Sequence, residues 1–193
     1  MFKVSCVQFT SGKDVKENLK KILNIIHECI KEKSDLIITP ENTSIMSSDK
    51  KELLSKLNVM EDDIFLKEFK RVCRSNRKWI ILGSIIVKIS KDTLVNRSIL
   101  INPNGDIEKF YDKIHMFDVK LSNSENYNES KLFQAGREIE TVDLPWGRLG
   151  MSICYDMRFP AMYRTMSQSG AKFFSVPSAF TETTGKRHWH SLL

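Results

Sequence analysis

The sequence has no apolar run long enough to span a bilayer. Its first residues, Met1-Phe2-Lys3-Val4-Ser5-Cys6-Val7-Gln8-Phe9, are too few and too alternating for a signal peptide. Neither a membrane role nor export is expected. The four cysteines (Cys6, Cys29, Cys73, Cys154) form no CxxC pair and no dense framework, which reads as reduced thiols in a cytoplasmic protein. A zinc pattern of H-x-E with CxxC, a Walker A loop and a GxGxxG turn are all missing, so no metal or organic cofactor is expected. The usual nucleic-acid motifs, internal repeats, low-complexity tracts and linkers are missing too.

What is present fits a soluble globular chain: 193 residues, 41% apolar and 28% charged. That length favours one domain over residues 1–193, with enough chain to bury a substantial core. Part of the net charge of +6 comes from Lys67, Lys70, Arg71, Arg74 and Lys78, which recur at helical spacing. Phe65, Leu66, Phe69, Val72 and Cys73 lie largely opposite. A phosphate-binding surface is one reading of this face. The solvated side of an amphipathic helix is the favoured one, and no nucleic-acid partner is expected.

Apolar periodicity orders the elements. Residues 2–9 alternate as a buried strand would, and residues 14–32 carry a helical stripe from Val15 to Ile30. Residues 35–39 form a second strand, so the opening reads as a parallel βαβ unit. Helices are predicted over 49–58 and 61–76, and strands over 79–89, 94–101 and 107–114, the last two joined at Asn102-Pro103-Asn104-Gly105-Asp106. Residues 118–131 read as a polar loop. Strands follow over 138–144 and 148–154, then a helix over about 160–169, a strand over 172–176 and a final helix from Lys186.

Three distant stretches each set one reactive side chain in an ordered context. Glu41 follows an apolar strand and Pro40, Lys113 lies in Tyr111-Asp112-Lys113-Ile114-His115, and Cys154 opens Cys154-Tyr155-Asp156-Met157-Arg158-Phe159. A proton acceptor, an ammonium and a thiol suit amide cleavage through a covalent thioester. Taken singly, each has a plainer reading: Glu41 as a helix-cap partner or surface charge, Lys113 as an edge-strand lysine, Cys154 as an inert core thiol. Cys6, Cys29 and Cys73 fall on apolar faces and are assigned that inert role. The strand-to-helix position of Cys154 argues for a helix N-terminus that favours its thiolate. His115, on the face of Lys113, either orients neighbours or packs.

Together these stretches resemble the signatures of the nitrilase (carbon–nitrogen hydrolase) superfamily, and within it the branch of omega-amidase and deaminated-glutathione amidase. The likeness continues through Pro177-Ser178-Ala179-Phe180 and Thr184-Gly185-Lys186-Arg187-His188-Trp189 and so covers the chain. It implies an α/β fold, the α-β-β-α sandwich of the nitrilase type. It implies Cys154 as nucleophile, Glu41 as general base and Lys113 as oxyanion stabiliser, helped by the backbone N–H of Tyr155. Glu129, in Glu129-Ser130, matches a second acid that positions the lysine or the substrate. Tyr155 and Arg158 are implied on the substrate side, Arg158 either holding a substrate carboxylate or ion-paired with Asp156 or Glu41. The implied reaction hydrolyses a small carboxylate-bearing amide to the acid and ammonia, without cofactor, in a homodimer when the domain is complete.

The sequence also departs from that pattern. His190 stands where the family continues with Glu and a long helix, so a domain lacking its C-terminal portion is expected. Asp112 replaces a basic residue, and Lys120 onward leaves the family's loop. Two other readings compete: an inactive or ligand-binding remnant of the same fold, and a Cys–His hydrolase using His115, His188 or His190, which leaves the contexts of Glu41 and Lys113 unexplained.

Overall fold

The computed structural model describes residues 1–122 and 125–193. Strand β1 (Val4–Cys6), helix α1 (Val15–Lys31) and strand β2 (Leu36–Ile38) form the expected parallel unit, with Val4 opposite Leu36 and Cys6 opposite Ile38. Asp14 starts α1 by accepting the Glu17 N–H at 2.9 Å. The stripe on α1 then buries Ile22 and Ile26 completely. After the short helix α2 (Lys50–Lys56), α3 (Ile64–Asn76) begins at the Asp63 cap and buries Phe65, Phe69 and Val72 against the same cluster.

Strand β3 (Trp79–Lys88) pairs parallel with β2, and β4 (Leu94–Ile101) and β5 (Ile107–Asp112) follow antiparallel. The five strands lie in the order β1-β2-β3-β4-β5. Alternation along β3 feeds two cores: Ile80 and Leu82 meet the helices, while Ile81 meets the second sheet. That sheet joins β8 (Thr141–Leu144), β9 (Gly147–Met151) and β10 (Phe173–Ser175) in the order β10-β9-β8. Leu149 and Met151 pack in the inner core with Leu36, Leu100 and Tyr111, and α4 (Pro160–Gln168) adds Met162 and Met166. The layers therefore run helix, sheet, sheet, helix, as expected.

Three expectations change. Strand β1 is an edge strand whose Val4 and Cys6 share an exposed face, so Cys6 is not a core thiol; Cys29 is half-buried and Cys73 buried. The polar stretch 118–131 is not simply a loop. It holds a ribbon of β6 (Asp118–Lys120) and β7 (Asn126–Asn128) and a 3₁₀ turn at Glu129–Lys131. Its polar composition hides one apolar cross-strand pair, Val119 opposite Tyr127; residues 123–124 of this stretch lie outside the described residues. Helix α5 (Glu182–Leu192) begins before Lys186, because Thr181 caps it by accepting the Thr184 N–H. The basic face of α3 is locally engaged: Lys67 pairs with Asp62, Arg71 with Glu68, and Arg74 donates to the Asn104 carbonyl. These are the contacts of a solvated face.

Candidate active site

Glu41 leaves the end of β2 in a loop stapled to β3. The Thr39 N–H donates to the Ile81 carbonyl, and the Gly83 N–H donates to the Thr39 hydroxyl at 3.0 Å. A Cβ at Gly83 would stand 1.7 Å from the Thr39 carbonyl oxygen, so only glycine allows this approach. Asn42 adopts φ of 56°, and its N–H donates to the Ser84 hydroxyl at 2.9 Å. The turn aims Glu41 inward, where it is 5% exposed.

Lys113 lies just past β5, its N–H bound to the Asn96 carbonyl at 2.9 Å. It is 2% exposed, not an edge lysine in solvent. Its ammonium meets Glu41 Oε1 at 2.8 Å and both oxygens of Glu129 at 3.0 and 2.9 Å. Burial pushes this ammonium's pKa down, but the charges of Glu41 and Glu129 together outweigh it and the net shift is upward. Glu129 opens the turn after β7 and also accepts the Phe117 N–H at 2.7 Å.

Cys154 begins a 3₁₀ turn (Cys154–Arg158) between β9 and α4, with φ of 47°. A non-glycine residue in that region marks a tight, strained bend. The Cys154 N–H donates to the Pro177 carbonyl at 2.9 Å, and Cys154 shares its cavity with Glu41, Lys113 and Ala179. Burial raises the thiol pKa well above its ordinary value, Glu41 raises it further, and Lys113 opposes both. The expected thiolate is thus corrected: the resting sulfur is neutral, because α4 starts only at Pro160 and burial dominates. Among the described residues the Tyr155 N–H has no acceptor, as befits the start of a 3₁₀ turn.

Glu41, Lys113, Glu129 and Cys154 meet at the floor of a cavity of about 600 Å³, also lined by Tyr155 and Arg158. Neither predicted ion pair of Arg158 forms. Its guanidinium donates to His188 Nδ1 at 2.7 Å and lies 5.7 Å from the Tyr155 ring centroid, with no carboxylate at ion-pairing distance among the described residues. Asp156 is occupied elsewhere, by Tyr111 and His115. Among the described residues no histidine lines the cavity, which removes the basis for a Cys–His arrangement. His115 does both things foreseen, bonding Asp156 and stacking on Phe159 at 3.6 Å. Asp112 turns away from Lys113 to grip Arg97 through two bonds of 2.6 and 2.7 Å.

Sequence reasoning missed Asn96. Fully buried in β4, it donates from Nδ2 to Glu41 at 3.0 Å and Glu129 at 3.3 Å. An amide in a strand, flanked by Leu94-Val95 and Ile99-Leu100-Ile101, was the available signal, since a buried polar group needs partners.

The model of the Carbon-nitrogen hydrolase family matches residues 3–193. The chain belongs to the carbon-nitrogen hydrolase family. It is 35% identical to the deaminated glutathione amidase of Yersinia enterocolitica over 98% of its own length and 67% of that protein. It is 32% identical to the omega-amidase Nit3 of Saccharomyces cerevisiae over 98% of its length and 67% of that protein. The crystal structure of the Caenorhabditis elegans NitFhit protein superimposes with a TM-score of 0.90 at 31% identity, over all of this chain and 48% of that one. As a carbon-nitrogen hydrolase, the chain spans about two thirds of the Yersinia and yeast relatives and under half of the fusion protein.

Proposed function

We propose that the chain carries the catalytic floor of a thiol amidase that hydrolyses a small carboxylate-bearing amide. The observation that carries this reading is the Lys113 ammonium clamped by Glu41 and Glu129 beside the Cys154 thiol. The names of the relatives, deaminated glutathione amidase and omega-amidase, support the same class of reaction. Free cysteines fit a reducing, cytoplasmic setting.

Because the thiol rests neutral, its proton leaves as sulfur attacks the amide carbon, with Glu41 as the acceptor. The carbonyl oxygen gains charge and is met by Lys113 and the Tyr155 N–H. One such donor is worth about 3–4 kcal/mol in the transition state. Lys113 has three N–H bonds. Glu41 takes one, the two oxygens of Glu129 share a second, and the third remains for the oxyanion. Collapse breaks the C–N bond, Glu41 returns the proton to the departing amine, and a thioester remains on Cys154. Glu41 then takes a proton from water as it attacks the thioester, and the proton ends on the leaving sulfur. Arg158 holds the substrate carboxylate at the cavity wall. Ammonia release from small ω-amides, compared between the chain and its Cys154→Ala variant, tests the proposal. Equal release by the two rejects it.

A further inference from the structure

The four carboxylate oxygens of Glu41 and Glu129 are not equivalent. Glu41 Oε1 accepts from Lys113 at 2.8 Å and Asn96 at 3.0 Å. Glu129 Oε1 accepts from Lys113 at 3.0 Å and Asn96 at 3.3 Å. Glu129 Oε2 accepts from Lys113 at 2.9 Å and the Phe117 N–H at 2.7 Å. Among the described residues Glu41 Oε2 has one donor, the Ala179 N–H at 2.9 Å. Each carboxylate oxygen offers two lone pairs, so three oxygens are filled and one keeps an open site. The Ala179 N–H that holds this oxygen lies two residues after Pro177, whose carbonyl accepts the Cys154 N–H, and Ala179, Glu41 and Cys154 line one cavity, so the open site lies on the nucleophile's side.

Asn96 makes that distinction. Both hydrogens of its Nδ2 go to the two Oε1 atoms, while its buried Oδ1 has no partner among the described residues. The reversed amide would set a carbonyl oxygen against two carboxylates, so chemistry fixes this orientation. The backbone of Asn96 also holds Lys113, through the bond from the lysine N–H.

We propose that Asn96 is the positioning residue of this site: by bridging Glu41 Oε1 and Glu129 Oε1 it leaves Glu41 Oε2 as the single oxygen able to take the Cys154 proton. The inference rests on the reading of Glu41 and Cys154 above. Without the bridge, Glu41 Oε1 and Glu129 Oε1 each regain an open lone pair. The two like charges then keep only Lys113 between them, with one backbone N–H each from Ala179 and Phe117, and the Glu41 carboxylate is free to turn away from sulfur.

The test compares the wild-type chain with Asn96→Leu and Asn96→Ser. The Leu variant removes both donors, and the Ser variant leaves one hydroxyl that reaches only one carboxylate. Two readouts are taken at neutral pH: the rate of Cys154 alkylation by iodoacetamide, followed by peptide mass mapping to separate it from the exposed Cys6, and kcat and KM for ammonia release. Asn96→Leu is expected to slow alkylation and kcat alike by about tenfold or more, with KM within about threefold and Asn96→Ser in between. A merely structural residue would lower the melting temperature without this ordering. Where Asn96→Leu does not fold, Asn96→Ser decides alone. Wild-type alkylation by either folded variant, or a loss carried by KM, overturns the proposal. Alkylation needs no turnover, so it still reads the Glu41–Cys154 pair where no amide is hydrolysed, an outcome that would instead reject the amidase reading.

Discussion

The Tyr111 hydroxyl donates to Asp156 Oδ2 at 2.7 Å, and this bond ties the end of β5, next to Lys113, to the turn that carries Cys154. Three further donors converge on the same buried carboxylate: the Ile153 N–H at 2.8 Å, the His115 N–H at 3.1 Å and His115 Nδ1 at 2.7 Å. Tyr111 and His115 stand two residues before and two after Lys113, and both bond Asp156. The spacing between ammonium and sulfur is thus held from behind, by groups that need not touch substrate.

Tyr111→Phe should cost about 1–3 kcal/mol of stability, because it strips one donor from a buried carboxylate and orphans the Ile114 N–H bound to the hydroxyl. Activity should fall more steeply than the loss of folded protein explains. Urea unfolding paired with ammonia-release kinetics checks both. An unchanged unfolding midpoint would refute the clamp.

Removing the Lys113 charge strands two carboxylates in a buried site. Lys113→Gln is expected to lose about 3–5 kcal/mol of stability and to lower kcat by about 10²–10³. Adding Glu129→Gln removes one of the stranded charges, so the double variant should regain part of the stability and none of the rate. A purely KM effect of Lys113→Gln would contradict its role at the oxyanion.

Arg158 lines the cavity with no carboxylate partner among the described residues. A charged hydrogen bond to substrate is worth about 1.5–3 kcal/mol, so Arg158→Gln should raise KM roughly ten- to a hundredfold for carboxylate-bearing amides. Uncharged amides of the same size should be hydrolysed as before. Equal losses on both substrate types would remove Arg158 from carboxylate recognition.

Stability should fall in alkali. Burial pushes the Cys73 thiol from 9.0 up to about 12, and Cys154 is raised as well. The folded chain therefore holds these protons more tightly than the unfolded chain. The resulting stability is fully present below about pH 9 and is lost as pH rises through the folded values, at about 1.4 kcal/mol per pH unit for each thiol. Denaturant unfolding across pH 8–11 measures the slope, and Cys73→Ala should flatten it even though the variant is less stable throughout. A slope that Cys73→Ala leaves unchanged would show that this thiol does not carry the dependence.

Much of this was legible in the sequence because it rests on local rules. The stripe of α1, the parallel unit with β2 and the hairpin of β4 and β5 follow from apolar spacing and turn residues, and each stands where that spacing put it. Glu41, Lys113 and Cys154 could be singled out by their contexts, and Glu129 by the family resemblance. The partners that set their properties could not. Asn96 sits 55 residues from Glu41 and Asp156 lies 45 from Tyr111, and only the folded sheets bring them together. The thiolate expectation failed for the same reason, since a helix start is visible in sequence while full burial beside a carboxylate is not. The β6–β7 ribbon was hidden by polar residues that face water, with one apolar pair between them.

The central claim is a covalent thioester on Cys154, formed at the floor that Glu41 and Lys113 share. Mass spectrometry of the chain, acid-quenched during turnover of an ω-amide and digested, measures it most directly. The Cys154 peptide should gain the mass of the acyl group, and the Cys154→Ala chain should show neither the adduct nor ammonia release. Turnover that persists in Cys154→Ala, or an acyl group found on another residue, would contradict the account.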